Sequence, residues 1–283
     1  MKYYFSFTSI PSRFEKLNDV IISLLNQSIP PEGIFIHIPF TYRRFGSSFT
    51  PPSFPQFDNV FINRCEDFGS NTKFIPMLNL NHIDNDAPII IVDDDCIQNP
   101  KLAETLLDLQ TRFGGDVASC MFGITHFSYC VNKNWEIYQN SQNLSPVGFR
   151  GFNEGYIDIF EGFGGVCLKK KFFTPDVFDF PCEEVYFCDD VWLSGHVLKN
   201  NYKIVVSGIH LSSTFHQDDI DALKNDVNKQ FRDFVTVKKI NELFQIFASW
   251  FPTSFTLLLT FFYTLFFTSF YTLLFTFFHT LLF

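Results

Sequence analysis

Ile89-Ile90-Ile91-Val92-Asp93-Asp94-Asp95 sets a β-branched apolar run directly against three carboxylates. The run reads as a buried strand that delivers negative charge to one edge of a sheet. Adjacent carboxylates repel, and a hard divalent cation with oxygen ligands, Mg²⁺ or Mn²⁺, would offset that repulsion. The competing reading is a solvated acidic turn behind a strand.

The flanking sequence supplies the rest of a layered sheet. Residues 3–8 read as the first strand, and an apolar stripe of Leu17, Val20, Ile21, Leu24 and Leu25 predicts a helix over about 14–27. Further strands are expected at 34–38, 59–63 and 203–209, and helices at 71–80, 100–113 and 183–200, the last starting near Asp189. Residues 40–58 read as a long loop, and residues 115–175 as shorter strands and loops. This β-α-β alternation predicts an α/β fold with a mostly parallel sheet flanked by helices. Sites in such sheets lie beyond the carboxyl ends of the strands, where Asp93, Asp94 and Asp95 fall.

Composition narrows the function. The chain has 283 residues, 46% of them hydrophobic, and a formal net charge of −9, which speaks against a nucleic-acid partner. The cysteine count of seven is odd and no Cys-x-x-Cys occurs, so neither a disulfide framework nor a structural zinc site is expected. The opening residues lack the design of a secretory signal, and a reducing, cytosolic setting is the expectation. Sequons at Asn26 and Asn143 are then chance.

Three more segments carry chemistry. Cys188-Asp189-Asp190-Val191-Trp192 opens a predicted helix with two carboxylates. Asp189 is expected as its N-cap, and Asp190 as a base that takes the proton from an attacking hydroxyl. Glu161-Gly162-Phe163-Gly164-Gly165 reads as a turn that lets backbone approach a ligand, with Phe163 available to stack on a sugar face, or as a plain bulge. In the segment from Arg64 to Lys73, Lys73 could neutralise a phosphate and Asp67 could accept from a base or ribose, against the alternative of a solvated helix start. His210 and His216 could each complete a metal shell with Asp95, although a lone surface histidine is the commoner case.

The C-terminal stretch is unlike the rest. From Phe251 to Phe283 there is no Asp, Glu, Lys or Arg, and threonine recurs every four positions from Thr256 to Thr280. As a helix rising about 1.5 Å per residue, it exceeds the roughly 30 Å hydrocarbon core of a bilayer. One reading is a hydrophobic helix that anchors the chain to a membrane with the catalytic part on the cytosolic side. The other is a low-complexity expansion. The expected organisation is a catalytic domain over residues 1–216, an amphipathic helical segment over 217–249 and the hydrophobic tail over 250–283.

Taken in order, these segments resemble the nucleotide-diphospho-sugar glycosyltransferases of the GT-A fold, closest to small family-2-like enzymes of bacteria and large DNA viruses. Phe7-Thr8-Ser9-Ile10-Pro11-Ser12-Arg13 resembles the opening nucleotide-binding strand and turn. Residues 65–73 resemble the family's Asp-aromatic-Gly-Pro-x-Thr-Lys segment, with Ser70 where proline is usual. Asp93-Asp94-Asp95 resembles the Asp-x-Asp metal motif, residues 161–165 the glycine-rich acceptor-side turn, and Asp189-Asp190 the late acidic pair. The likeness covers about residues 3–240.

The resemblance implies roles. Thr8, Arg13, Asp67, Lys73, Asp93 and Asp94 would hold a UDP- or GDP-type sugar donor. Asp95 and Asp93, with His210 or His216, would bind Mn²⁺ or Mg²⁺. Glu161, Phe163, Gly164, Gly165 and Trp192 would face a carbohydrate or glycoconjugate acceptor, and Asp190, beside Asp189, would act as base in an inverting transfer. Two alternatives are a sugar-nucleotidyltransferase, disfavoured because Ser9 to Arg13 contain no glycine for a triphosphate cradle, and a catalytically inactive, membrane-tethered sugar-binding protein.

Overall fold

The computed structural model describes residues 2–124, 154–215, 239–240 and 242–244. Cys130, Asn143, His216, the tail and most of the expected 217–249 helix lie outside these residues. Residues 239–240 and 242–244 are helical.

Twelve strands are described: β1 (Tyr4–Thr8), β2 (Gly33–Pro39), β3 (Val60–Cys65), β4 (Ile89–Ile91), β5 (Cys96–Ile97), β6 (Val117–Cys120), β7 (Gly123–Ile124), β8 (Gly155–Ile157), β9 (Ile159–Phe160), β10 (Val166–Leu168), β11 (Lys203–Val206) and β12 (Thr214–Phe215). The α-helices are α1 (Leu17–Leu25), α2 (Leu102–Arg112), the single turn α3 (Glu183–Tyr186) and α4 (Asp189–Lys199). Eight strands form the main sheet in the order β3-β2-β1-β4-β10-β6-β11-β8. The four strands β3, β2, β1 and β4 run parallel, as the β-α-β alternation requires. β10 enters between β4 and β6 antiparallel to both, and β8 closes the far edge antiparallel to β11.

The pleat sorts these strands into two faces. Phe5 and Phe7 of β1, Ile34, Ile36 and Ile38 of β2, and Ile90 and Val92 in and after β4 share one core with Leu17, Val20, Ile21 and Leu24 of α1 and Leu102, Ala103, Leu106 and Leu107 of α2. Every residue of β2 is buried, which suits an inner parallel strand covered on both faces. Ser6, His37 and Asn63 alternate with apolar residues along β1, β2 and β3 and fall on the opposite face.

Two local expectations need correction. The helix expected over 71–80 is instead two successive 3₁₀ turns, Gly69–Lys73 and Ile75–Asn79. Pro76 has no N–H to extend a regular helix through this segment, and Asn71 spends its side chain on the carbonyls of Val185 and Tyr186. The helix expected over 183–200 is split into α3 and α4, with Cys188 rather than Asp189 at the N-cap of α4. Asp189 and Asp190 occupy the first turn, where the helix dipole favours them.

Among the described residues, no helix is long and apolar enough to cross a membrane. Their cysteines are all free thiols.

Candidate active site

Three chain segments deliver charged side chains to one place at the carboxyl end of the parallel strands. β4 ends at Ile91, and the chain turns through Asp93, Asp94 and Asp95. The 3₁₀ turn Gly69–Lys73 directs the Lys73 side chain inward, and the first turn of α4 supplies Asp189 and Asp190. Lys73 Nζ lies 2.5 Å from Asp93 Oδ1 and 2.8 Å from Asp189 Oδ2, so one ammonium joins the acidic run after β4 to the acidic pair of α4. Gly162 N–H donates to Asp190 Oδ1 at 2.8 Å, which brings the glycine turn into the same cluster.

Electrostatics give the members different protonation. Burial works against the Lys73 ammonium, but the carboxylates of Asp189, Asp93 and Asp190 outweigh it and hold its pKa well above the usual lysine value. Burial likewise opposes ionisation of Asp189, yet its direct pairing with Lys73 and a hydrogen bond from Ser70 bring it below the usual carboxylate value. Asp190 is driven well above that value by burial and by the neighbouring charge of Asp189, with Lys73 offsetting only part of this. Pairing with lysine thus favours the ionised form of Asp189, and Asp190 is the more basic carboxyl of the pair.

Arg13 neutralises the other end of the acidic run. It pairs with Asp94, and its Nη2 lies 3.3 Å from Asp95 Oδ2. The Asp94 side chain is only 6% exposed, and burial lifts its pKa to about 6 against the pull of Arg13. Asp93 and Asp95 reach further out, at 30% and 23% exposed. Their oxygen donors and their exposure fit a hard divalent cation, whereas Asp94 is committed to the protein interior. Among the described residues, no three His, Cys, Asp or Glu side chains are already grouped as a metal shell. His210 is exposed, and its ring meets Phe122 edge to face at 6.0 Å.

Asp67 shapes the loop that carries Lys73. Its carboxylate accepts from Gly69 N–H at 2.8 Å and from Arg43 N–H at 2.7 Å, and the Tyr186 hydroxyl donates to its carbonyl. Gly69 has a φ of +61°, and a Cβ there would fall 2.3 Å from the Tyr186 carbonyl oxygen, so glycine is required by both conformation and space. Ser70 accepts from Asp189 N–H at 3.2 Å and thereby satisfies a free amide at the start of α4. Thr8 donates to the His37 carbonyl at 2.8 Å.

On the expected acceptor side, Phe163 stacks on Phe122 with ring centroids 4.8 Å apart and is half-buried. Glu161 precedes it and is also half-buried. Gly164 and Gly165 are buried, Gly164 against Phe122 and Gly165 against Leu102. Trp192, expected to face an acceptor, does not. It is 1% exposed, donates its indole N–H to the Val177 carbonyl and packs against Phe180 and His196. Its spacing on α4 puts it on the face turned to the core.

The sequence matches no family model and no curated protein. Among solved structures, the chain is similar to residues 1–349 of S. aureus TarS in complex with UDP-GlcNAc, at TM-score 0.51 and 10% identity, covering 85% of this chain and 66% of that one. It is also similar to glucosyl-3-phosphoglycerate synthase from Mycobacterium tuberculosis in complex with Mn²⁺, UDP and phosphoglyceric acid, at TM-score 0.48 and 9% identity, covering 84% of this chain and 78% of that one. The chain has a GT-A-type fold. In this GT-A fold the acidic run lies after β4, and the acidic pair opens the helix that packs beneath the glycine turn.

Proposed function

We propose that the chain is a divalent-cation-dependent glycosyltransferase that moves a sugar from a nucleoside-diphosphate donor to a hydroxyl of a carbohydrate or glycoconjugate acceptor. The observation that carries this reading is the bridge from Asp93 through Lys73 to Asp189, which gathers the acidic run, the acidic pair and the glycine turn in one cluster.

Asp93 and Asp95 would hold Mn²⁺ or Mg²⁺, which supplies positive charge against the departing nucleoside diphosphate. β12 runs antiparallel to β5, from Thr214 opposite Ile97 to Phe215 opposite Cys96, that is, towards the end of β5 that adjoins Asp95. His216 would be a further ligand. Arg13 and Lys73 would offer their charge to the donor phosphates, with Thr8 and Asp67 shaping the nucleotide side. Phe163 would present a ring face to the acceptor sugar.

Asp190 would take the acceptor proton during an inverting displacement at the anomeric carbon. Burial and the neighbouring charge of Asp189 raise its affinity for a proton, which suits a proton acceptor. Asp189 would be the weaker base of the two, because its pairing with Lys73 lowers its affinity for a proton.

The test uses the full chain, Mn²⁺ and a panel of UDP- and GDP-sugars, with donor cleavage followed in the absence of acceptor. At least one donor should be cleaved in a metal-dependent way. Asp190→Asn should abolish transfer while donor binding persists, and Asp95→Ala should weaken metal-dependent donor binding. A chain that neither binds nor cleaves any of these donors would overturn the proposal.

A further inference from the structure

The polar row on the far face of the sheet has no partner in the apolar logic of the strands. Ser6, His37 and Asn63 stand side by side on β1, β2 and β3, within strands otherwise composed largely of aromatic and β-branched residues. Ser6 and His37 are both fully buried. Burying polar groups is costly unless each finds a partner, and here each does. Asn63 Nδ2 lies 2.9 Å from His37 Nδ1, His37 Nε2 lies 2.9 Å from Ser6 Oγ, and Ser6 Oγ lies 2.5 Å from the Lys73 carbonyl oxygen.

The partners fix the direction of every proton. The Lys73 carbonyl can only accept, so Ser6 donates to it. The Asn63 amide nitrogen can only donate, so His37 Nδ1 accepts and its Nε2 carries the hydrogen given to Ser6. Burial holds the imidazole neutral, lowering its pKa to about 3, so this arrangement persists across the physiological range. The chain of donors ends at the last residue of the 3₁₀ turn Gly69–Lys73, where a carbonyl would otherwise lack a partner.

We infer that Asn63, His37 and Ser6 are positioning residues, a directed hydrogen-bond relay across three strands that holds the Lys73 backbone so that its ammonium lies between Asp93 and Asp189. The role in transfer rests on the proposed function; the hold on Lys73 does not. None of the three touches the carboxylates in the contacts described, and all act through one carbonyl. Fully satisfied buried networks of this kind fix a single geometry more tightly than apolar packing does. Placement within a few tenths of an ångström is what a side chain bridging two acidic segments needs.

The deciding experiment observes Lys73 directly. In the full chain labelled with ¹⁵N-lysine, the buried Lys73 ammonium should give a protected resonance that is absent from Lys73→Met. Ser6→Ala and His37→Leu should lose or broaden that resonance while the rest of the spectrum stays folded. His37→Gln, whose amide can still donate to Ser6, should restore it. If His37→Leu does not fold, Ser6→Ala, which removes one oxygen atom, decides alone. A Lys73 resonance unchanged in folded Ser6→Ala would overturn the relay. This readout needs no donor, so it separates failure of the relay from failure of the transferase reading. In donor cleavage with Mn²⁺, Ser6→Ala should lower kcat on the order of tenfold in the native chain and add nothing in a Lys73→Met background, because residues acting through one another are not additive.

Discussion

Gly162 holds Asp190 in place through its backbone N–H, 2.8 Å from the carboxylate oxygen Oδ1. A Cβ at this position would fall 2.9 Å from the same oxygen and 3.4 Å from Lys73 Nζ. Glycine is therefore required here for close approach rather than for a special backbone angle. We expect Gly162→Ala to push the Asp190 carboxylate off its position. A displacement of about 1 Å costs on the order of 100-fold in rate, so transfer should fall by 10- to 100-fold. Thermal unfolding and kcat measured on the same preparation check this, with the midpoint nearly unchanged.

Lys73→Met should act on stability and on pH dependence together. It leaves Asp189 and Asp190 buried without their shared cation, and breaking a buried pair in this way costs about 3–5 kcal/mol near neutral pH. Without Lys73 both carboxyls have raised pKa values, so the folded variant binds more protons than its unfolded chain above the ordinary carboxylate pKa. Its stability then increases as pH falls, whereas the native chain loses the contribution of ionised Asp189 as pH falls. The gap between the two should narrow from pH 7 towards pH 4 in urea unfolding. The acid limb of any remaining transfer activity should move to higher pH, because Lys73 no longer offsets the rise at Asp190.

Much of this was legible in the chain, for identifiable reasons. Ile89 to Ile91 announce a buried strand by branching and the aspartates announce its end, so β4 and the site edge could be read directly. Long-range partners could not. That Arg13 would turn to Asp94 and Asp95, or that Gly162 would hold Asp190, depends on how the glycine turn and the 3₁₀ turn Pro11–Lys16 close over the strand ends. Trp192 was misplaced because two acidic residues at a helix start say nothing about which face of the helix turns to the core. The break at Pro76 was visible, but its effect was masked by the apolar residues around it. One signal was available and was passed over: Ser6 between Phe5 and Phe7, and His37 between Ile36 and Ile38, interrupt apolar strands with polar groups that burial would penalise unless they were paired.

The Ser70 Oγ accepts from Asp189 N–H at 3.2 Å. Removing a side-chain acceptor from a helix start costs about 1 kcal/mol. Ser70→Ala should therefore destabilise the chain by that order in chemical unfolding. It should also raise the Asp189 pKa, since the Ser70 hydrogen bond favours its ionised form. Ser70→Thr should retain most of the native stability, because it keeps the hydroxyl. Equal loss in both variants would assign the effect to packing rather than to the hydrogen bond.

His196 is fully buried on α4 between Trp192 and Phe244, and among the described residues neither ring nitrogen has a hydrogen-bond partner. Burial lowers its pKa to about 3, from an unfolded value of about 6.5. Between those values the unfolded chain binds the proton and the folded chain does not, so stability falls as pH drops below about 6.5. The slope approaches about 1.4 kcal/mol per pH unit for one such group. His37 contributes the same sign over the same window, and Asp94, raised to about 6, opposes it because it gains its proton on folding. Substituting His196→Leu keeps an apolar side chain of similar size and removes two unsatisfied nitrogens, each costing about 1–3 kcal/mol. We expect the variant to be more stable than the native chain at pH 7 by at least 1 kcal/mol or so. We expect a larger margin at pH 5, where the native chain has lost stability to histidine protonation in its unfolded state and the variant has not. Urea unfolding at the two pH values measures both differences, and a margin that shrinks at pH 5 would mean that His196 is protonated within the fold.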